Sequence, residues 1–451
     1  MALTTAQLVD RYSAPVPRYT SYPTAPHFHD GITGETYAQW LKALPEDATL
    51  SLYFHIPYCD RLCWFCGCHT KHTLRYEPVA DYLLALYAEM DWVSRQLAGR
   101  GTVTAIHLGG GSPTLLKPAD LLALKRKIAD GFTLSPEAEI SIEIDPNDLD
   151  EGRFDAFAEF GLTRASIGVQ DFDITVQKAI NRLQSYEQTA AVVQAVRSRG
   201  VRSVNLDLVY GLPHQTLSAL EKTVAKALLM EPDRCALFGY AHVPWMKPHQ
   251  KMIDEATLPG RHSRFQQAQR AAEMFTWAGY RPIGFDHFAR PGDSLAIAAE
   301  NGTLKRNFQG YTDDAADALI GFGASAIGQF PQGYVQNIVA TADYKRRVHE
   351  GKPATGKGVA LTQEDRLHRH AIERLLCAFA LRPEDFHEFG RAGANLFESA
   401  VLMAESDSDG LLTLSGNSVV VTDTGRPFVR AIAARFDQYL TLGAARHSLS
   451  V

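Results

Sequence analysis

The chain has 451 residues, 45% of them hydrophobic and 21% charged, the proportions of an ordinary globular protein rather than a disordered or fibrous one. Its formal net charge is -6 with basic residues scattered, so no nucleic-acid partner is expected. Nowhere do about 18 apolar residues run together, and residues 1–23 lack a basic stretch followed by an apolar one; the expectation is a cytoplasmic chain with no membrane partner.

Residues 1–48 hold five prolines and little helical periodicity, which predicts an irregular N-terminal arm lying over the domain that follows. From 49 to 285, short runs rich in Val, Ile, Leu and Phe alternate with longer amphipathic stretches, the pattern of repeated βα units on a parallel sheet. Strands are predicted at Thr49–His55, Val103–Leu108, Glu139–Ile144, Arg164–Val169, Arg202–Leu208 and Ala236–Ala241. Helices are predicted at Val79–Ala98, Pro118–Asp130, Glu151–Phe160, Tyr186–Arg199, Ser218–Met230 and Arg264–Ala278. Six units fall short of the eight of a closed barrel, so the fold class is α/β with a partial, open (β/α)6 TIM-like barrel that can admit a large substrate sideways. Residues 286–361 read as a barrel extension or connecting segment. From 362 to 451, short helices and a hairpin-like stretch at Leu411–Val421 read as a small, mostly helical α+β domain.

Four of the six cysteines, Cys59, Cys63, Cys66 and Cys68, fall within ten residues directly after the first predicted strand, while Cys235 and Cys377 stand alone. A secreted disulfide framework is not distributed this way, and clustered thiols in a reducing compartment point to metal. Three thiolates on one short loop can hold three irons of a 4Fe-4S cube and leave the fourth open for chemistry. A structural zinc site is the alternative, with Cys68 or His69 as its fourth ligand. The CxxxCxxC spacing, the aromatic Phe65 before Cys66 and the place at a barrel strand's carboxyl end favour iron–sulfur, with Cys68 outside the ligand set.

Carboxyl ends of barrel strands build active sites, and this chain carries a polar or backbone-exposing group at nearly every one. Gly109-Gly110-Gly111-Ser112-Pro113 follows the second strand, Glu143 lies in the third, Gln170 and Arg182 follow the fourth, Asp207 lies in the fifth and Tyr240-Ala241-His242 closes the sixth. Each alone is a turn glycine, a helix cap or a surface charge. Together they suit one nucleoside cofactor: exposed backbone beside its amino-acid end, Glu143 for an ammonium, Asp207 for a ribose hydroxyl, the planar fork of Arg182 for a carboxylate.

The cysteine motif resembles that of the radical S-adenosylmethionine (SAM) superfamily. The segments Arg18-Tyr19-Thr20-Ser21-Tyr22-Pro23-Thr24-Ala25, Tyr53-Phe54-His55-Ile56-Pro57, Gly211-Leu212-Pro213-His214-Gln215, Tyr240-Ala241-His242-Val243-Pro244-Trp245, Gly284-Phe285-Asp286-His287-Phe288-Ala289-Arg290 and Asn307-Phe308-Gln309-Gly310-Tyr311 resemble, more narrowly, the anaerobic coproporphyrinogen III oxidase family. That resemblance covers nearly the whole chain. It implies a 4Fe-4S cluster on Cys59, Cys63 and Cys66 and oxidative decarboxylation of two propionates of coproporphyrinogen III to vinyl groups, giving protoporphyrinogen IX in haem biosynthesis. A 5′-deoxyadenosyl radical takes hydrogen from the propionate β-carbon, carbon dioxide leaves, and an unidentified acceptor removes one electron; an external donor supplies the cluster. It implies two SAM molecules, the first at Tyr53, Gly110, Glu143 and Ile327, the second at Phe65, Gly111, Ser112, Gln170, Arg182, Asp207 and Ala241. Ser112 stands where threonine is expected in many relatives, and serine keeps the hydroxyl. It also implies a monomer.

Two other radical SAM readings share the cluster: a haem-binding paralogue acting in haem trafficking, whose relatives lack the Arg18–Ala25 arm, and a methyltransferase. Arg18, His242, Lys247, His249, His287 and Arg290 are candidates, by charge, for holding the substrate propionates.

Overall fold

The computed structural model describes residues 3–147 and 149–440; the outermost residues of the expected arm and C-terminal domain, 1–2 and 441–451, lie outside it. Strands β1 (Thr49–Ile56), β2 (Thr102–Gly110), β3 (Leu134–Ile144), β4 (Arg164–Gln170), β5 (Ser203–Tyr210) and β6 (Arg234–Gly239) pair in that order, all parallel. Each strand alternates. On β1, Leu50, Leu52, Phe54 and Ile56 are at most 1% exposed and join the main apolar core, while Ser51, Tyr53 and His55 take the other face. The inward face repeats this polarity, with His107 on β2, Ser141 and Glu143 on β3, Ser166 on β4 and Asn205 and Asp207 on β5. The barrel lumen is therefore polar, and its outer wall is apolar.

That outer wall is closed by helices. Glu77–Leu97 buries Val79, Tyr82, Leu83, Leu86, Met90, Val93 and Leu97, spaced three and four apart, and ends at Ala98 in the left-handed conformation. Burying each such side chain contributes about 1.5–3 kcal/mol, so Phe54→Ala, which deletes a ring stacked 4.9 Å from that of Phe322, costs about 3–5 kcal/mol.

The barrel stays open because other strands cap both of its edges. Strands β7 (Arg281–Ile283) and β8 (His287–Ala289) extend the sheet antiparallel beyond β6. Beyond β1 come β9 (Ala318–Phe322), parallel to it, then β10 (Ile327–Phe330), β11 (Gly333–Asn337) and β12 (Thr355–Ala360), making a sheet of twelve.

The arm differs from its expectation as irregular cover. It contains helices Thr5–Tyr12 and Gly34–Lys42, each capped by a threonine hydroxyl, Thr4 and Thr33. Proline count hid them, since none of the five prolines falls inside either helix. Leu8, Val9, Tyr19 and Tyr22 pack into the core of the C-terminal unit with Leu375, Leu381 and Phe428, while Tyr37, Trp40 and Leu41 join the barrel core. The C-terminal unit is built on helices Gln363–Ala378 and Gly390–Glu405 and a hairpin of Leu412–Ser415 with Ser418–Val421. No helix among the described residues is long and apolar enough to cross a membrane.

Candidate active site

At the carboxyl ends of β1–β6 lies a cavity of about 460 Å3. Its wall brings together Cys59, Cys63, Phe65, Cys66, Gly110, Gly111, Glu143, Gln170, Arg182, Asp207 and Ala241, with Cys68 at the rim. Tyr53, Ser112 and Ile327 stand outside that wall. Tyr53 lies one layer below, its hydroxyl 3.0 Å from His55 Nδ1 and its ring stacked on His107. Ser112 is buried against Thr114, 2.7 Å between hydroxyls.

The cysteine loop is tied down from two directions. Trp64 N donates to the carbonyl of Ile180 at 3.0 Å and Asn181 Nδ2 to that of Leu62 at 2.9 Å. From the segment after β6, Lys247 Nζ donates to Cys68 O at 3.0 Å, Gln250 Nε2 to Phe65 O at 3.0 Å, and His249 Nε2 lies 2.8 Å from Cys66 O. Each thiol has its own polar neighbour. Cys59 Sγ is hydrogen bonded to the Thr70 hydroxyl at 3.0 Å, Cys63 Sγ accepts from Arg182 Nη1 at 3.6 Å, and Cys66 Sγ accepts from the Cys68 N–H at 3.4 Å.

This donor set fits an iron–sulfur cube. Among the described residues no three His, Cys, Asp or Glu side chains converge to hold a single metal ion. A cube takes one thiolate per iron and needs ligands spread around a cavity, with N–H and O–H groups directed at the sulfurs. Burial pushes the Cys59 thiol up to about 12 and also raises Cys63, against the pull of Arg182, whereas hydrogen bonding from Cys68 lowers Cys66 to about 7; metal binding displaces these protons to solvent.

Glycine is required where the β2 strand end passes the loop. Gly110 has φ +110°, and a Cβ there would lie 2.6 Å from the His55 ring; one on Gly111 would lie 2.6 Å from Tyr58 O. Glu143 Oε2 accepts the Gly110 N–H at 3.0 Å, and Oε1 is 3.4 Å from His107 Nε2. Burial raises this carboxyl, but His107 and the Gly110 N–H outweigh it and hold it below the usual carboxylate range. Asp207 accepts from Ser166 Oγ at 3.0 Å and Asn205 Nδ2 at 2.8 Å; burial, then the Glu143 charge, raises it. Gln170 has φ +66° where the register of β4 with β5 slips, a bulge that re-aims the strand end. Arg182 donates from Nη1 to Asp145 Oδ2 at 3.0 Å and from Nη2 to Gly168 O at 2.9 Å, and its buried Nε has no protein partner.

A family model described as the Radical SAM superfamily matches residues 53–227, and one for the HemN C-terminal domain matches 361–428. An oxygen-independent coproporphyrinogen III oxidase of Paracoccus denitrificans is 46% identical over 98% of this chain and 97% of its own; that of Bradyrhizobium diazoefficiens is 47% identical over 97% of each. The chain belongs to the oxygen-independent coproporphyrinogen III oxidase family. The solved coproporphyrinogen III oxidase of Escherichia coli, a radical SAM enzyme, superposes with a TM-score of 0.89 at 37% identity, covering 94% of this chain and 97% of its own.

Within this oxidase family site, sequence reading missed Thr70, Asp145, His107 and Gln250, and took Lys247 and His249 as propionate candidates rather than as anchors of the cysteine loop. His107 was within reach, since alternation places it inward beside Tyr53. The others act only through tertiary contact. Of the cations proposed for propionates, Arg18 alone lines the cavity. His242 is held by Tyr240 and Glu255, His287 by Asp286, Arg290 lies 3.4 Å from the Tyr280 hydroxyl, and Lys247 and His249 hold the cysteine loop.

Proposed function

We propose that this protein catalyses the oxygen-independent, SAM-dependent oxidative decarboxylation of two propionates of coproporphyrinogen III to vinyl groups, giving protoporphyrinogen IX in haem biosynthesis. The observation that carries it is the convergence of three loop thiols and the polar strand ends on one cavity, in a chain that matches named oxidases along nearly its whole length.

Cys59, Cys63 and Cys66 hold the cluster, which when bound supplies the low-potential electron that cleaves the SAM C–S bond. Gly110, Glu143, Tyr53 and Ile327 hold the first SAM: Glu143 meets its ammonium, and Gly110, whose missing Cβ leaves room for the His55 ring, brings the β2 backbone alongside it. Phe65, Gly111, Ser112, Gln170, Arg182, Asp207 and Ala241 form the environment of a second SAM, with Arg182 directed at its carboxylate. Phe65 packs on an apolar cluster of Val176, Leu212 and Tyr240 beneath the loop, which keeps that side of the cavity dry. The electron donor and the final acceptor are separate molecules, and the protein works as a cytoplasmic monomer.

The test is anaerobic reconstitution with iron and sulfide, followed by incubation with coproporphyrinogen III, SAM and a strong reductant. Vinyl products with release of carbon dioxide are expected. A methylated tetrapyrrole would establish the methyltransferase instead, and tight haem binding without turnover the trafficking protein.

A further inference from the structure

Beside the main cavity is a second, largely enclosed pocket of about 80 Å3, walled by Arg18, Arg264 and Arg430 together with Tyr210, Phe285 and Asp286. Arg18, Gly239 and Tyr240 face both spaces. Arg306 stands alongside, its guanidinium over the rings of Phe285 and Tyr311 and its Nη2 3.6 Å from Asp286 Oδ2. Arg18 and Arg264 thus share the pocket wall with the carboxylate of Asp286, which already faces Arg306 and is bonded to His287 Nδ1 at 2.7 Å. Glu373 accepts the Arg306 backbone N–H at 3.3 Å but serves another cation, Arg369.

Backbone carbonyls, which carry no net charge, help to fix Arg18, Arg306 and Arg430 in place. Arg18 Nη2 donates to Gly239 O at 2.5 Å, Arg430 Nη2 to Val16 O at 2.7 Å, and Arg306 Nε to Arg18 O at 3.2 Å. Arg264 Nε and Arg306 Nη1 are buried with no hydrogen-bond partner. Burial, then the charge of Arg18, pulls Arg430 down to about 9, and burial lowers Arg18 and Arg264 as well. Gathering like charges out of water is costly unless an anion completes the site.

We propose that this pocket is a carboxylate subsite that takes one propionate of the tetrapyrrole substrate, gripped by Arg18 and Arg264, while the ring stays outside it. The inference rests on the oxidase reading above. A volume of about 80 Å3 is under three times the roughly 30 Å3 that a water occupies in the liquid, room for a carboxylate and its neighbouring methylene but not for a macrocycle. Arg18 gives the arm a role: Tyr19 and Tyr22 anchor it in the C-terminal unit, and the residue before them reaches the boundary between the two spaces.

The test uses the reconstituted holoenzyme, with coproporphyrin III, the stable oxidised tetra-acid, and its tetramethyl ester as fluorescent probes. Arg264→Gln should weaken tetra-acid binding about tenfold or more, the size of a lost charge-assisted contact, and Arg264→Lys should weaken it less. Ester binding should be alike in all three proteins. Wild-type tetra-acid binding by Arg264→Gln, or an equal loss of ester binding, overturns the subsite. A wild-type holoenzyme that binds the tetra-acid through Arg264 yet forms no vinyl product overturns the oxidase reading and leaves the subsite standing; one that forms vinyl product but binds no tetra-acid overturns the subsite alone.

Discussion

The guanidinium of Arg182 lies against the sulfur of Cys63, Nη1 to Sγ 3.6 Å, and the same nitrogen donates to Asp145 at 3.0 Å. One side chain from beyond β4 thereby joins the end of β3 to the cysteine loop. Burial opposes its charge, but Asp145 and the neighbouring thiols outweigh that and raise it. Arg182→Ala is expected to reduce bound SAM from two per cluster to one and to shift the cluster potential to a more negative value, because a cation next to a ligand sulfur is lost. Counting SAM per cluster and a redox titration check both parts.

Replacing Cys59, Cys63 or Cys66 by Ser should abolish the cluster, since serine oxygen is a poor ligand for soft iron–sulfide units. Cys68→Ser should assemble normally, because serine keeps the backbone N–H that donates to Cys66 Sγ and a hydroxyl where the Cys68 thiol is hydrogen bonded to it. Iron and sulfide content with visible absorption distinguishes the variants, and a full cluster in any of the first three would remove that residue from the ligand set.

Glu143→Gln is expected to weaken the first SAM by about tenfold or more with the cluster intact, since a neutral amide cannot pair with the ammonium. Because His107 and Gly110 hold the carboxyl low, wild-type SAM affinity should persist as pH falls towards about 5. Equilibrium binding across that range is the measurement; affinity already lost near neutrality would contradict a charged Glu143.

A deeper carboxyl gives a pH signature of stability. Glu89, on the helix Glu77–Leu97, is buried, accepting from Gly323 N at 2.8 Å, Asn337 Nδ2 at 2.6 Å and the Tyr344 hydroxyl at 2.6 Å, yet burial outweighs these donors and raises it from 4.5 to about 7. A raised carboxyl favours the folded state most below its unfolded pKa and loses that advantage as pH rises through the folded one. Stability from this site should fall by roughly 3 kcal/mol between about pH 4.5 and 7. Across that window the urea midpoint of wild type should fall while that of Glu89→Gln, which mimics the protonated acid, loses none of this contribution, so the two curves separate as pH rises; parallel curves would show that Glu89 does not titrate there.

What could be read from the sequence followed from local periodicity. The six parallel strands and their helices alternate or repeat strongly enough to be placed within a few residues. The Leu412–Val421 hairpin was also legible. Strands β9–β12 were not, because the Gly-rich stretch from Gly321 to Gly333 carries little apolar alternation, and β9, on which β10, β11 and β12 pair in succession, is itself set by pairing with β1 nearly 270 residues earlier. In the site, the cysteines and strand-end groups stood out by position after a strand. Asp145 and Thr70 did not, since their partners, Arg182 and Cys59, are met only in the folded chain.

The central claim is that the protein removes hydrogen from the β-carbon of a substrate propionate through the adenosyl group of SAM. Its most direct test is coproporphyrinogen III deuterated at the propionate β-carbons, turned over anaerobically by the reconstituted protein with SAM and reductant. The account predicts deuterium in the 5′-deoxyadenosine, one labelled molecule for each vinyl group formed. Vinyl formation with unlabelled 5′-deoxyadenosine, or labelled substrate returned without decarboxylation, would contradict it.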